Sequence, residues 1–334
     1  MKIHFDWRIA RVIDQNGHIL DELIWDGHRS PSNLSKRLEL IKNNVQIDEI
    51  STLKSRFPDS LIDPIGHLSD SNWPVISTDD EKLLNEASII LAKKGVADSA
   101  GDMDRRLEML TSSLVELRST WTTLESRSIE WTALFISEID LKNKRSEIPL
   151  AVTKSKSISD VAKLLNTSIP VHSPSDNEWK AIREISLNVL DISRNINYIE
   201  EAIREICSEY VPSLSLLLGP ISAAKLVSLA GSRERLARMP SGSLQVLGAQ
   251  SAMSAHRNGA PPPKHGSILF SMPQISRSPR WVRGKISRFI AGKASIAVRV
   301  DHFKGTPWNQ EVVDQINIEI QSIKNKFPKP PKRK

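Results

Sequence analysis

From residue 107 to residue 124 the apolar positions Leu107, Leu110, Leu114, Leu117, Trp121 and Leu124 recur at alternating intervals of three and four. A second series, Ile182, Ile185, Val189, Ile192, Ile196, Ile199, Ile203 and Ile206, keeps the same alternation throughout. A stripe with a period of about 3.5 residues specifies helices wound left-handedly about each other. Ser175-Asp176-Asn177-Glu178 supplies a capping box where the second helix starts. Between the two series, Pro149, Pro170 and Pro174 punctuate a segment with only short helical patterns, such as 161–165. The two helices are therefore expected to fold back through a small lobe as a long antiparallel coiled coil. A coil of about 25 residues spans roughly 37 Å.

On either side the pattern changes. Residues 1–75 read as a small α/β domain: 11–13 and 18–25 flank Asp14-Gln15-Asn16-Gly17, and Asn-Gly is a strong hairpin signal. Pro31 and Ser32 then open a helix carrying Leu34, Leu38 and Ile41 at helical spacing, and two of Trp7, Trp25 and Trp73 are expected to fill a shallow core. A connecting helix is expected over 79–97, and with the coil it forms a second part, 76–210.

Residues 211–304 read as all-helical. Pro220 opens and Gly231 closes an apolar helix over 221–230. Met239-Pro240 breaks the chain, and Gly248-Ala249 leads into another short helix. Pro261-Pro262-Pro263 is barred from helix and presents Lys264 and His265 on a stiff loop. Pro279 opens a helix over 280–300. At about 100° per residue, Lys285, Arg288 and Arg299 share an arc of about 60°, while Ile286, Phe289, Ile290, Ala297 and Val300 gather opposite. In 305–334, a helix over 308–323 carries Val312, Ile316 and Ile320 and packs back on the preceding domain, and 327–334 is a stiff basic tail. The fold class is mainly α.

Charge sharpens this division. Residues 211–304 hold 14 Lys and Arg against two acids, Glu234 and Asp301, a net of +12, whereas the preceding 210 residues carry −8. An asymmetry of this size is the footprint of a nucleic-acid surface. It makes Arg257, Lys264, Arg280, Arg283, Lys285, Arg288 and Arg299 candidate residues for binding RNA or DNA, with His265 beside them as a stacking or hydrogen-bonding group.

Catalytic chemistry finds little to work with. Cys207 is the only cysteine, which excludes disulfide frameworks and Cys-based zinc sites. The eight histidines include no pair four apart, so no metal site is expected. No P-loop, nucleophile elbow or glycine-rich dinucleotide motif occurs. We expect no catalytic residue and no cofactor. With no signal-peptide core at the start and no run of 18 apolar residues, the chain is expected to be soluble, intracellular and free of membranes.

Seven ordered blocks carry a resemblance: Gly219-Pro220, Leu229-Ala230-Gly231-Ser232, Leu236-Ala237-Arg238-Met239-Pro240, Gln245-Val246-Leu247-Gly248-Ala249, Pro262-Pro263-Lys264-His265-Gly266, Arg283-Gly284-Lys285-Ile286-Ser287-Arg288 and Ala297-Val298-Arg299-Val300-Asp301-His302-Phe303. Together they resemble the Nop domain of the archaeal proteins that scaffold box C/D guide-RNA particles. Ala97-Asp98-Ser99 and the ending Lys326-Phe327-Pro328-Lys329-Pro330-Pro331-Lys332 also look like that family. The likeness runs from about residue 90 to the end.

The resemblance implies a non-catalytic scaffold for RNA-guided 2′-O-methylation. Its partners would be a kink-turn box C/D guide RNA, a small kink-turn-binding ribosomal-type protein, and a fibrillarin-like methyltransferase docked on the N-terminal domain. It implies a homodimer through the coil, with Leu114, Leu117, Trp121, Ile192, Ile196 and Ile199 in the seam. The short tail fits an archaeal cytoplasmic protein. One block departs from the family. After Gly-Ala the family carries Glu-Lys and then Ala-Leu-Phe-Arg, on a helix at the RNA and partner-protein surface. This chain has Gln250-Ser251-Ala252-Met253-Ser254-Ala255 there, with Arg257 replacing part of the missing charge. Gln250 resembles the splicing branch, which keeps a second function open: an RNA-binding or processing factor without a methyltransferase partner. Co-purification of a fibrillarin-like enzyme separates the two.

Overall fold

The computed structural model describes residues 1–70 and 72–330. Of the basic tail expected over 327–334, residues 331–334 lie outside the described residues. The chain divides into two compact units, Met1–Gly101 and Asp102–Lys334.

The first unit holds β1 (Lys2–Phe5), β2 (Ile9–Ile13), β3 (Ile19–Ile24), α1 (Pro31–Lys42), α2 (Asp48–Arg56), β4 (Leu61–Asp63) and α3 (Thr78–Ser99). The sheet runs β3-β2-β1-β4, antiparallel except for the parallel β1–β4 pair. The expected hairpin is β2–β3. Its turn closes through Asp14 N to His18 O at 3.0 Å, with Gly17 at φ 86°. Ser30 caps α1 through Asn33 N, and Pro31 sits in the first turn.

Two apolar clusters hold this unit. Ile3, Phe5, Ala10 and Val12 of the sheet pack with Ile47, Ile50 and Leu53. Trp7 and Leu34 pack with Ala87, Trp25, Leu38, Leu83 and Leu84. The helix expected as a connector, α3, thus supplies Leu83, Leu84 and Ala87 to the N-terminal core, so the compact unit extends past residue 75. Two of the three tryptophans are core residues: Trp7 lies edge-on to Trp25 at 6.3 Å, and the buried Arg37 guanidinium sits 5.0 Å over Trp25, whereas Trp73 is in neither cluster.

The second unit begins with α4 (Met103–Phe135), α5 (Ile148–Lys154), α6 (Ile158–Leu164) and α7 (Asp176–Tyr210). The two long helices pack as the expected hairpin, and the capping box at Ser175 and Glu178 is formed. The short helices make a lobe with its own core, Ile129, Ile148, Val152, Ile158, Val161, Leu165 and Ile182. Inside the hairpin a Ser128–Ser186 hydrogen bond, 2.8 Å, is buried.

The rest of the unit is α8 (Pro212–Leu218), α9 (Pro220–Ala230), α10 (Arg233–Arg238), α11 (Ser241–Gln245), α12 (Gln250–Arg257), α13 (Ser267–Phe270), α14 (Pro273–Ser276), α15 (Arg280–His302) and α16 (Gln310–Lys326). The observed fold is mainly α, as expected. Gly219 (φ 82°) and Gly231 (φ 91°, left-handed) bound α9 where a side chain would be strained. Leu107, Leu114, Ile203 and Cys207 of the hairpin join the core built on α9 and α15. α16 packs there through Ile316 and Ile320, but its third buried residue is Val313 and not Val312, which is 37% exposed. No single described helix is long and apolar enough to cross a membrane; α8 and α9 together would be, but they meet at 117° and are mostly core.

Candidate nucleic-acid interface

α15 divides cleanly. Val282, Ile286, Ile290, Ala291, Ala294, Ala297 and Val298 are buried in the domain core, and Arg280, Trp281, Lys285, Arg288 and Arg299 are exposed. Ridges of alanine and isoleucine let a long helix seat against its neighbours while the opposite stripe keeps its cations in water.

The proline loop lies beside this stripe and is held from below. Gln245, the last residue of α11, is buried; its Nε2 donates to Lys264 O at 2.6 Å and its carbonyl accepts from Gly266 N at 2.8 Å. Gly266 is required there, because a Cβ on it would overlap the carbonyl of Leu247. Gly284 of α15 faces the Lys264 stem, and a Cβ there would stand 3.4 Å from Lys264 Cδ, leaving room for no longer side chain. The loop and α15 thereby enclose a groove of about 500 Å³ lined by Lys264, Lys285, Arg288, Trp281 and the three prolines. None of the three cations is in an ion pair among the described residues. Three cations without carboxylate partners thus line one groove, with the Lys264 stem resting against α15 at Gly284.

The two acids of the basic region do not oppose this site. Glu234 pairs with Arg238 at 2.7 Å. Asp301 accepts from Ser213 N and Leu214 N at 3.0 and 2.9 Å, capping α8.

The other candidates are distributed differently. Arg283 is engaged within the chain: Nε donates to Ser278 O at 2.7 Å, Nη2 to Ser276 O at 2.8 Å, and its guanidinium lies 5.5 Å over Phe270. It satisfies carbonyls at the end of α14, which a helix of four residues cannot bond internally. Arg299 donates to Ala237 O at 2.9 Å and stands about 21 Å along α15 from Lys285. His265 does not line the groove; it stacks on Phe270 at 4.6 Å with an interplanar angle of 11°. Burial, with Arg283 and Lys264 adding repulsion, pushes its pKa below the usual histidine value, so it is neutral at neutral pH. Arg280 is exposed at the start of α15. Gln250, Ser251 and Arg257 lie on α12, which has no buried residue, and His256 Nδ1 bonds Ala260 O at 2.6 Å just past it.

The seam is not uniform. Leu114 is fully buried in the chain's own domain core, Ile196 and Ile199 are half-buried against the same core, and Leu117, Trp121 and Ile192 are half-buried farther along the coil. Trp281 and the Gln245 clamp were absent from the candidates read in the sequence. Trp281 precedes Lys285 by four residues, the spacing that places it on the same stripe.

The second unit is thus a helical hairpin carrying a basic helical domain with a cation-lined groove. The family profile described as "Nop: snoRNA binding domain, fibrillarin" matches residues 127–322, and the chain belongs to the Nop family. A NOP5 family protein of Methanocaldococcus jannaschii is 32% identical over 267 residues, covering 75% of this chain and 64% of that one. Nucleolar protein 56 of Homo sapiens is 35% identical over 127 residues, 38% of this chain and 21% of the human one. The chain thus matches under two thirds of the length of these relatives. The crystal structure of a fibrillarin/Nop5p complex aligns over 92% of this chain and 96% of the solved chain, with 19% identity and a TM-score of 0.43. Among the described residues no cluster of His, Cys, Asp or Glu is arranged to hold a metal ion.

Proposed function

We propose that this chain is a non-catalytic scaffold of a box C/D guide-RNA particle. The groove of Lys264, Lys285 and Arg288 holds phosphates of a kink-turn guide RNA, with Arg280 at the start of α15 and Arg257 of α12 as further contacts. The α12 surface with Gln250 and Ser251 meets the RNA together with a small ribosomal-type kink-turn-binding protein. The N-terminal unit docks a fibrillarin-like methyltransferase, which performs the 2′-O-methylation, and two copies associate through the middle of the coil. The setting is the cytoplasm of an archaeal cell. One observation carries this: three cations without carboxylate partners converge on one groove in a region of net charge +12.

Affinity for RNA measured across a salt series tests it. Each phosphate contact removed flattens the log–log slope by about 0.9 on duplex and about 0.7 on a single strand. The Lys285→Ala, Arg288→Ala chain should lose close to two such increments, and an unchanged slope rules this groove out. In a particle reconstituted with guide RNA and both partner proteins, removing the whole unit Met1–Gly101 should abolish methylation and leave RNA assembly intact. Cutting after residue 75 is a poorer experiment, because it strips α3 of the core that covers Ala87.

A further inference from the structure

Of the eight tryptophans in this chain, Trp281 alone is exposed, at 36%. It stands in the cationic groove, with Lys285 and Arg288 following it at four and seven residues along the same face of α15. Its orientation is fixed: Nε1 donates to Phe327 O at 2.9 Å. That bond engages the only polar atom the indole has. What remains for a ligand is the π surface of the ring, in a groove that Lys264, Lys285 and Arg288 also line. The Phe327 ring lies 4.2 Å from Lys285 Nζ, so the chain already places one aromatic ring against this row.

The row from Trp281 to Arg288 is about 10 Å long, the length of about three nucleotides stacked at about 3.4 Å each. An uninterrupted duplex would offer this row its phosphates and keep its bases paired inside, leaving the indole without a partner. An unpaired nucleotide offers a phosphate and a free base face together. Aromatic rings interleaved with cations are the means by which proteins hold single-stranded RNA.

We propose that Trp281 is a stacking platform for an unpaired nucleotide of RNA, with Lys285 and Arg288 on the adjoining phosphates. The groove accordingly takes a bulged or single-stranded segment in preference to continuous duplex. This rests on the reading of the groove as an RNA site and adds the residue on which an unpaired base stacks. With its N–H engaged, the indole reads no base edge, so the four bases substitute for one another.

The test compares a short oligouridylate with a blunt-ended RNA duplex of equal length, each bound to the full chain across a salt series. Trp281→Ala should weaken oligouridylate binding by about tenfold at every salt concentration, leave duplex binding unchanged, and leave the salt slope unchanged on both. Trp281→Phe should recover most of the loss. In parallel, 2-aminopurine placed in a bulge should be quenched by the wild-type chain. Equal losses on both probes, or no loss on either, overturn the platform while the phosphate contacts stand. An unchanged slope in the Lys285→Ala, Arg288→Ala chain overturns the phosphate contacts, and the platform with them. If circular dichroism shows Trp281→Ala unfolded, Trp281→Phe and the wild-type quenching decide, and an unquenched bulge overturns the proposal.

Discussion

Gln245 Nε2 and the main-chain oxygen of Lys264 are joined by a hydrogen bond of 2.6 Å, below the surface of the groove that Lys264 lines. Gln245 is only 8% exposed, so its amide has no water to turn to. Its main-chain carbonyl holds Gly266, and one residue therefore fixes both sides of His265. This is how a loop with three prolines, unable to bond to itself, acquires one position.

Gln245→Ala leaves the Lys264 carbonyl without its partner and opens a small void beneath the loop. We expect a stability loss of about 1–3 kcal/mol and weaker RNA binding with an unchanged salt slope, because every cation is still present. Thermal unfolding and a salt titration on the same variant check both halves. A flatter slope would mean that Lys264 has left the groove altogether.

The first unit should be sensitive to acid through Asp6. Burial raises its pKa, but hydrogen bonds from Trp73 and Arg8, with the Arg8 charge, outweigh that and leave it below the ordinary 3.8. A carboxyl held lower in the folded state than in the unfolded chain contributes its stability above about pH 3.8, and loses it as pH falls through the folded value. Asp6 ties Trp73 to the turn after β1 through a 2.9 Å bond, so its protonation loosens that tryptophan. Asp6→Asn should remove this part of the acid transition followed by near-ultraviolet circular dichroism. An identical acid limb in the variant would show that Asp6 is not the group responsible.

What the sequence made legible follows from how many residues carry each signal. The coil was readable because its seam is written over two long series, and the capping box and Gly231 because each sits at a helix end with one physical role. The helix over 280–300 followed from a proline and an apolar stripe. Partnership was harder to read. Periodicity shows that 79–97 is a helix but not that Leu83, Leu84 and Ala87 meet Trp7 and Leu34. Val312 and Val313 both fit a helical stripe with Ile316 and Ile320, and only the packing of α16 selects the second. α13 and α14, four residues each, are too short for any period. Arg283 reads as one more cation until the carbonyls of Ser276 and Ser278 appear in front of it.

Cys207 should behave as a buried structural thiol. Burial pushes its pKa up to about 11, more than hydrogen bonding from Ser215 and Ala224 pulls it down. Its Sγ lies 3.6 Å from Pro220 O inside the core that joins hairpin to domain. At neutral pH a disulfide reagent should label the native chain at the rate of unfolding and the chain in guanidinium at once, since the thiolate is the reacting form. Rapid labelling of the native chain would show that the junction opens.

Leu114 and Ile196 lie on partner helices of one hairpin, and their burial separates folding from association. Leu114 has no exposed surface and packs into the domain core, so Leu114→Asp both empties that space and buries a charge. We expect a loss of at least about 3 kcal/mol, seen as a lower melting temperature at any protein concentration. Ile196 packs against the same core but is only half-buried, so a carboxylate there is less deeply desolvated. Ile196→Asp should keep its helicity and most of its stability. If two copies meet at the middle of the coil, as proposed, the same variant places two charges in a closed interface and should sediment as monomer where the wild type sediments as dimer. The variants thus separate two uses of one heptad pattern. Wild-type chain running as monomer at micromolar concentration would end the dimer proposal, and an unfolded Ile196→Asp chain would show that mid-coil residues serve the hairpin alone.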